Sequence, residues 1–518
     1  MRTLSTIQQS YIETIHQLCE NHPRARTKDI ADALGVRMAS ATEVVQSLAT
    51  SGLLEYGKRM GATLTPKGLE IAEELQKRHA ALAEFFVEIG CERNMAEEAA
   101  CAVEHNINAE IADLLLKHLE SLSQRVNSDI RAANEKASPE TYLDHAAATP
   151  PRREVLDAFE KAAGEFPANP ESAHRQGRRA EEALSKAATA IIDALGTAEH
   201  AVFWTASATE AINLAIPALL PSPLPKGMAL ATTAAEHPAL ENALRSIQSE
   251  IRTIPLRGDG TVDLEALPSL LDENVALLAI HHVNNETGAT QDIQTIGKIL
   301  RERAPNARFA VDTVQSIGKI PIPWDSAGID AAFIGGHKIG APAGGALIHR
   351  NDNSKFSADF ASRIARERNE KHSIGRPDVP VAIALAQAMV SAETAREKLA
   401  RKISLLNNEL RNRLKTEFPK HDFNFPVPME KASPYIAMLL LPPLQAEIVA
   451  RMLSDTGTMV SAGSACEAWK STPSRTLIAM GFSKRTARTA IRISFGHNST
   501  ETDVDAFVES LKHVVKVY

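Results

Sequence analysis

The sequence predicts a multidomain protein: an N-terminal all-α segment with a helix-turn-helix and a short wing, then a larger α/β domain. Three observations carry this expectation. At 518 residues the chain exceeds what one ordinary core holds. Residues 1 to about 125 keep a helical period with one short β-like interruption. From residue 141 onward, apolar runs such as 276–280, 309–311 and 331–334 alternate with amphipathic stretches, as parallel strands and their crossover helices do. Between the halves, residues 123–140 (SQRVNSDIRAANEKASPE) are polar and end near a Ser-Pro pair, a composition suited to a linker.

Composition narrows the function classes. A hydrophobic share of 44% with 23% charged residues excludes a disordered or fibrous chain. No apolar run approaches the roughly 20 residues needed to cross a bilayer. The opening MRTLSTIQQSYIETIHQL turns polar too soon for a signal peptide, so a cytoplasmic protein without membrane contact is expected. The net charge of −7 argues against chain-wide nucleic-acid binding but leaves room for one small DNA reader. Cys19, Cys91, Cys101 and Cys466 form no CxxC pair, so each is read singly.

The N-terminal elements follow in order. ARTKDIADALG (25–35) offers Thr27 as an N-cap and Gly35 as a stop. In the next stretch Ser40-Ala-Thr-Glu43 has the capping-box pattern, Val44, Val45 and Leu48 share a side, and Gly52 closes the helix. Two short helices with a tight link make a helix-turn-helix, the second being the reader. LLEYGKRMGATLTPKG then gives two β-like runs around Lys58 and Arg59, a wing. Eight Lys or Arg against six Asp or Glu over residues 1–67 is a faint basic footprint, so a protein-contact module fits equally at this point. Further on, His79 lies in KRHAALAEFF, and Cys101, Glu104 and His105 share one helical face in ACAVEHNI. Thiolate, carboxylate and imidazole together suit a first-row transition metal, with Glu13 of the first helix completing the set. The alternative is a buried cysteine beside a solvated Glu-His pair.

In the C-terminal half Asp312 closes an apolar run, which places it at the carboxyl end of a strand, where ligands of open α/β sheets bind. Lys338 follows another run through Gly335 and Gly336. A pyridoxal enzyme needs a lysine to hold the cofactor and a carboxylate to keep the pyridine nitrogen protonated. By spacing alone the two are also a strand-end acid and a surface lysine.

The surrounding text adds to this. TYLDHAAATP, ANPESAHRQG, TASATEAINLAI, AEHPALENA, HHVNNETGATQDI, VDTVQSIGKIPI, GGHKIGAP and VSAGSACEAW occur in that order from residue 141 to 469. This series resembles the cysteine desulfurases of the class V aminotransferase superfamily, in the group whose sulfur-accepting loop reads SGSAC. The resemblance implies a fold-type-I pyridoxal 5'-phosphate (PLP) transferase with large and small domains, acting as a homodimer. It implies that Lys338 carries the cofactor, Asp312 faces the pyridine nitrogen, and Gln315 and Asn285 bond the ring's phenolic side. His237 stacks on the ring and assists proton transfer, while Ala208, Thr209 and His337 receive the phosphate. Arg492, supported by Asn169, clamps the carboxylate of L-cysteine. Cys466 takes the sulfur as a persulfide, leaving L-alanine, and passes it to an acceptor protein. The sequence departs from the family at Gly335 (usually Ser) and Ser207 (usually Gly). It departs again at Ser373-Ile374-Gly375-Arg376, where the family shows Arg-x-Gly-Thr and where Arg376 is expected to replace a phosphate contact.

The N-terminal segments SYIETIHQL, LTPKG, RHAALAEFF and CAVEH resemble the diphtheria-toxin-repressor type of iron- or manganese-dependent regulators, from about residue 4 to 122. That resemblance implies that Glu13, His79, Cys101, Glu104 and His105 bind Fe2+ or Mn2+, and that the helix at 38–51 reads operator DNA in a dimer. Ser10 and Ala83 depart from the pattern of a second metal site. The expected boundaries are a winged helix at 1–70, a metal-binding and dimerisation domain at 71–125, a linker at 126–140 and the desulfurase-like domain at 141–518. Its large part spans about 156–384, and its small part comprises 141–155 and 385–518. Two other readings remain at this point: a regulator whose PLP half only senses or dimerises, and a related PLP lyase or transaminase.

Overall fold

Helix-period apolar spacing in the first hundred residues produces α1 (Thr6–Asn21), α2 (Thr27–Ala33), α3 (Met38–Thr50), α4 (Pro66–Glu88) and α5 (Arg93–Val103). Between α3 and α4, β1 (Leu54–Gly57) and β2 (Gly61–Leu64) pair antiparallel as a hairpin. The computed structural model describes residues 4–57, 60–88, 91–103, 111, 114, 140–352, 354–366, 376–463 and 473–518. Two units, Met1–Ala137 and Ser138–Tyr518, divide the chain.

In the first unit, Ile12, Ile15, Ile30, Val45 and Leu48 are fully buried together, which locks the helix-turn-helix onto α1. Ser5 and Gln8 form a reciprocal capping box at the start of α1. The caps expected at Thr27 and Ser40 do not form. Arg26 and Arg37 are the cap residues, neither with a side-chain bond, so Thr27 is the first residue of α2 and Ser40 the third of α3. The turn decides the second. Gly35 adopts φ +64° and Val36 N–H bonds back to Ala31 O, which turns the chain early enough for α3 to begin at Met38. α4 packs on α5 through buried Leu82, Ala83 and Ala100.

The second unit begins with β3 (Thr141–Tyr142) and is built on a sheet of seven strands. These are β4 (His200–Thr205), β5 (Ala229–Thr233), β6 (Glu250–Ile254), β7 (Val275–His281), β8 (Arg308–Asp312), β9 (Ala331–Gly335) and β10 (Gly345–Arg350). Their order is β4-β10-β9-β8-β7-β5-β6. All neighbours are parallel except β10, which runs antiparallel to β4 and β9. The sequence pattern predicts an all-parallel sheet; the segment from Gly336 to Gly344 is too short for a crossover helix, so β10 reverses. Helices cover both faces, with Phe309 buried in one core and Phe333 in the other. A smaller sheet joins β11 (Ile436–Leu440), β14 (Ala490–Ser494) and β13 (Ser461–Ala462), while β12 (Thr458–Met459) pairs with β3. The 39-residue helix Val379–Glu417 serves both parts: Ala384–Met389 pack in the large core, and Ile403, Leu406, Leu410 and Leu414 in the small one. No described helix is long and apolar enough to cross a membrane.

Phe333 is fully buried at the centre of one face, so Phe333→Ala leaves a cavity that costs about 3–5 kcal/mol. Urea unfolding followed by far-UV circular dichroism measures it; an unchanged midpoint would contradict the assigned core.

Candidate active site

The parallel strands deliver their following loops to one edge of the sheet, and the candidate residues gather there. Asp312 is the last residue of β8, His281 the last of β7, and Lys338 lies three residues beyond β9. His237 caps the helix Pro238–Ser246 after β5, and Ser207 caps the helix Ala208–Ala218 after β4. Gly345 permits the last arrangement: a Cβ there would lie 2.4 Å from the Ser207 carbonyl carbon.

One cavity of about 160 Å³ is lined by Ala208, Thr209, His237, Asn285, Asp312, Gln315, His337, Lys338 and Arg492, together with Ala146, Ala147 and His281. Two candidates lie elsewhere. Asn169 is exposed, its Oδ1 accepting from Glu171 N–H at 3.0 Å. Arg376 is exposed and lines a neighbouring depression with Ala206 and Glu210. Cys466, like Ser373 to Gly375, lies outside the described residues.

A strap from the small part closes the cavity. Ala146 N–H donates to Ser494 Oγ at 2.9 Å and Thr149 N–H to His337 O at 2.7 Å, so the backbone between them is fixed. Lys338 Nζ donates to Ala146 O at 2.8 Å and Ala147 O at 2.7 Å, while Gln315 Nε2 donates to the same Ala146 O at 2.9 Å. Opposite, Asp312 is buried with Oδ1 accepting from Val314 N–H at 3.0 Å. Burial raises its pKa, against that bond and the nearby histidines. His237 Nδ1 accepts from Ala239 N–H at 3.1 Å, so the neutral ring carries its proton on Nε2. Burial lowers the His237 pKa, partly offset by Asp312.

Arg492 is 2% exposed. Its Nη2 donates to Asp144 Oδ1 at 2.8 Å and Ser461 Oγ at 3.2 Å, and its Nη1 to Asn285 O at 2.8 Å. Its buried Nε finds no acceptor among the described residues. A guanidinium held by one face with a donor to spare suits a carboxylate ligand.

These geometries sit in a chain whose residues 141–507 match the family described as aminotransferase class-V. A cysteine desulfurase of Trichormus azollae is 31% identical over 382 residues, 72% of this chain and 92% of that protein. The chain belongs to the cysteine desulfurase family of class-V aminotransferases. An IscS-like cysteine desulfurase of Mycobacterium tuberculosis is 31% identical over 389 residues, 72% of this chain and 96% of that one. A solved NifS-like protein superposes with TM-score 0.64 at 25% identity, covering 73% of this chain and all of the other. A NifS-like protein from Rickettsia africae gives 0.61 at 27%, covering 73% and 99%. Residues 3–62 match the iron dependent repressor N-terminal DNA binding domain, and 65–128 the iron dependent repressor metal binding and dimerisation domain.

The donor set of the desulfurase cavity fits the PLP that its family implies. A primary amine lies on one side, a buried carboxylate wanting a cationic N–H partner on the other, and a helix N-terminus suited to an anion at the end. Gly335 has room for a side chain, its nearest neighbour to an added Cβ being Val314 at 3.4 Å, so serine's absence there removes a hydroxyl without closing the site.

Sequence reasoning missed Asp144, Lys319 and the Glu236–His281 pair. His281 Nδ1 lies 3.0 Å from Glu236 Oε1, and its Nε2 lies 3.1 Å from Gln291 Nε2. All sit inside quoted motifs (LDHAAATP, QSIGK, AEH, HHVNN), but only the fold shows what they face. In the first unit Glu13 lies on α1, His79 on α4 and Cys101, exposed, on α5. His79 Nε2 is 2.8 Å from Glu97 Oε2, a carboxylate not anticipated. No group of three or more metal-type ligands occurs among the described residues, and Glu104 and His105 lie outside them.

Because burial holds His237 below the ordinary histidine value of 6.5, its imidazole stays neutral as pH falls through that value. NMR titration of its ring protons should give a midpoint under 6.5, and one at or above it would contradict this electrostatic account.

Proposed function

We propose that this chain converts L-cysteine to L-alanine with transfer of sulfur to Cys466, and that a metal-responsive DNA-binding module is built into the same polypeptide. The observation that carries the first part is the convergence of Lys338, Asp312, His237 and Arg492 on one cavity of a desulfurase-family fold. Bound PLP supplies the electron sink that labilises bonds at the substrate's α-carbon. Lys338 holds it covalently, Asp312 keeps its ring nitrogen protonated, and Gln315 and Asn285 flank its phenolic side. Ala208, Thr209 and His337 receive its phosphate. Arg376, at the surface beside the helix that caps this site, supplies a charged contact to a partner subunit's phosphate in a homodimer. Arg492 orients the substrate carboxylate, held by Asp144, Asn285 and Ser461. His237 holds or moves a proton at Nε2. Cys466 receives sulfur as a persulfide and hands it to an acceptor protein.

For the N-terminal half, we assign 1–70 to DNA reading, 71–125 to metal binding and dimerisation, 126–140 to a linker, and 141–518 to the enzyme. Arg37, Met38, Ala39 and Ser40 are exposed at the start of α3, where a reader helix meets base edges. Glu13, His79, Cys101, Glu104 and His105 are the proposed ligands, and the thiolate of Cys101 favours ferrous iron over manganese. A cytoplasmic location follows from operator binding.

Three outcomes test this. Lys338→Ala should abolish the visible PLP band, whereas Cys466→Ser keeps the band and stops alanine and sulfide release; full activity of the serine variant would remove the sulfur-transfer step. Arg492→Lys replaces a fork with a point charge, and the KM for cysteine should rise about 10- to 100-fold, measured by alanine formation. Gel shifts of promoter fragments should require ferrous iron and be lost in Cys101→Ala; metal-independent shifts would leave a DNA-binding domain without sensing.

A further inference from the structure

One hydrogen bond from the cavity lining is a second lysine that the assigned chemistry does not use. Lys319 is buried, and its Nζ donates to Gln315 Oε1 at 3.1 Å. Gln315 in turn donates through Nε2 to Ala146 O, the oxygen that also accepts from Lys338 Nζ. We propose that Lys319 is a positioning residue of the active site, fixing the orientation of the Gln315 amide and, through the Ala146 carbonyl, the seat of the Lys338 amine. This rests on the reading of the cavity as a PLP site.

The amide argument is one of donors and acceptors. A glutamine side chain offers an oxygen at one end and an N–H2 at the other, and its neighbours decide which way it points. Lys319 offers a donor on one side, and Ala146 a carbonyl acceptor on the other. With Lys319 replaced by an apolar side chain, Oε1 loses this donor and the amide is held from its Nε2 end, by the Ala146 carbonyl. The Ala146 oxygen that Lys338 shares with Gln315 would then face a less firmly oriented amide.

The charge argument is independent of that bond. The groups that share the field of Lys319 are Lys338, Arg492 from β14, His145 from the strap and His337 from the loop after β9. The Tyr435 ring is 5.9 Å from Nζ, and Glu393, paired with Arg396, bonds the adjacent Gly318 N–H at 3.0 Å. Among the described residues no carboxylate pairs with Nζ itself. Burial, then Lys338 and Arg492, push the Lys319 pKa down to about 7. Its charge in turn helps hold His145 and His337 below their ordinary values. Both the neutral amine and the ammonium donate to Gln315, so the bond persists while the field at Lys338 changes.

The test follows the visible absorbance of the PLP-loaded protein as a function of pH. Lys319→Met should raise the main midpoint, because a like charge near the lysine nitrogen is gone. Lys319→Arg, charged throughout, should lower the midpoint instead and retain the cofactor. Two variants whose midpoints both equal the parent's overturn the proposal. Absence of any visible band in the parent would instead remove the reading of the cavity as a PLP site.

Discussion

The carbonyl oxygen of Ala146 takes hydrogen bonds from both Lys338 and Gln315, and much of the catalytic unit is arranged to keep it there. That oxygen belongs to a strap entering from the small sheet, tied to β14 through Ser494 and to the loop after β9 through Thr149. Lys338 therefore sits where two parts of the unit meet. The helix Val379–Glu417 buries its first half in one core and its second half in the other, so the two parts cannot separate without tearing apolar surface from one of them. Stability of the core and geometry of the site thus depend on the same elements.

The charges around the cavity are sorted by side. Asp312 and the Glu236–His281 pair lie at the strand ends, while Lys338, Lys319 and Arg492 lie toward the strap and the small sheet. A planar cofactor with a basic ring nitrogen at one edge and oxygens at the other is complementary to such a field. Burial strengthens the sorting, because each unsatisfied charge is costly until an opposite one arrives. The raised pKa of Asp312 and the lowered pKa of Lys319 are two expressions of that cost.

How much of this was legible in the sequence depended on how far apart the partners lie. Asp312 and Lys338 could be placed because each follows its own apolar run, and strand ends of such a sheet share an edge. The bond between Arg492 and Asp144 joins residues 348 positions apart, and nothing local to either announces it. Lys319 was visible as a letter in QSIGK, but its meaning depends on Gln315 being held from the other side. The expected cap at Ser40 failed for a different reason: the left-handed turn at Gly35 sets where α3 starts, and it overrode the capping preference of the serine. The antiparallel β10 was likewise a matter of connection length, which periodicity does not report.

On the proposed reading, Arg492 is a binding residue that is also part of the frame. Asp144, Asn285 and Ser461 hold its guanidinium from the strap, the loop after β7 and β13 respectively. Ser461 begins the small-residue run that leads toward Cys466. A substrate carboxylate arriving at the remaining donor meets a group already bonded to the base of that run. On the proposed reading, substrate binding is thereby linked to Ser461 through one side chain. The same economy explains why a guanidinium serves here better than an ammonium. A lysine amine has no rigid fork with which to face a strap, a loop, a strand and a ligand at once.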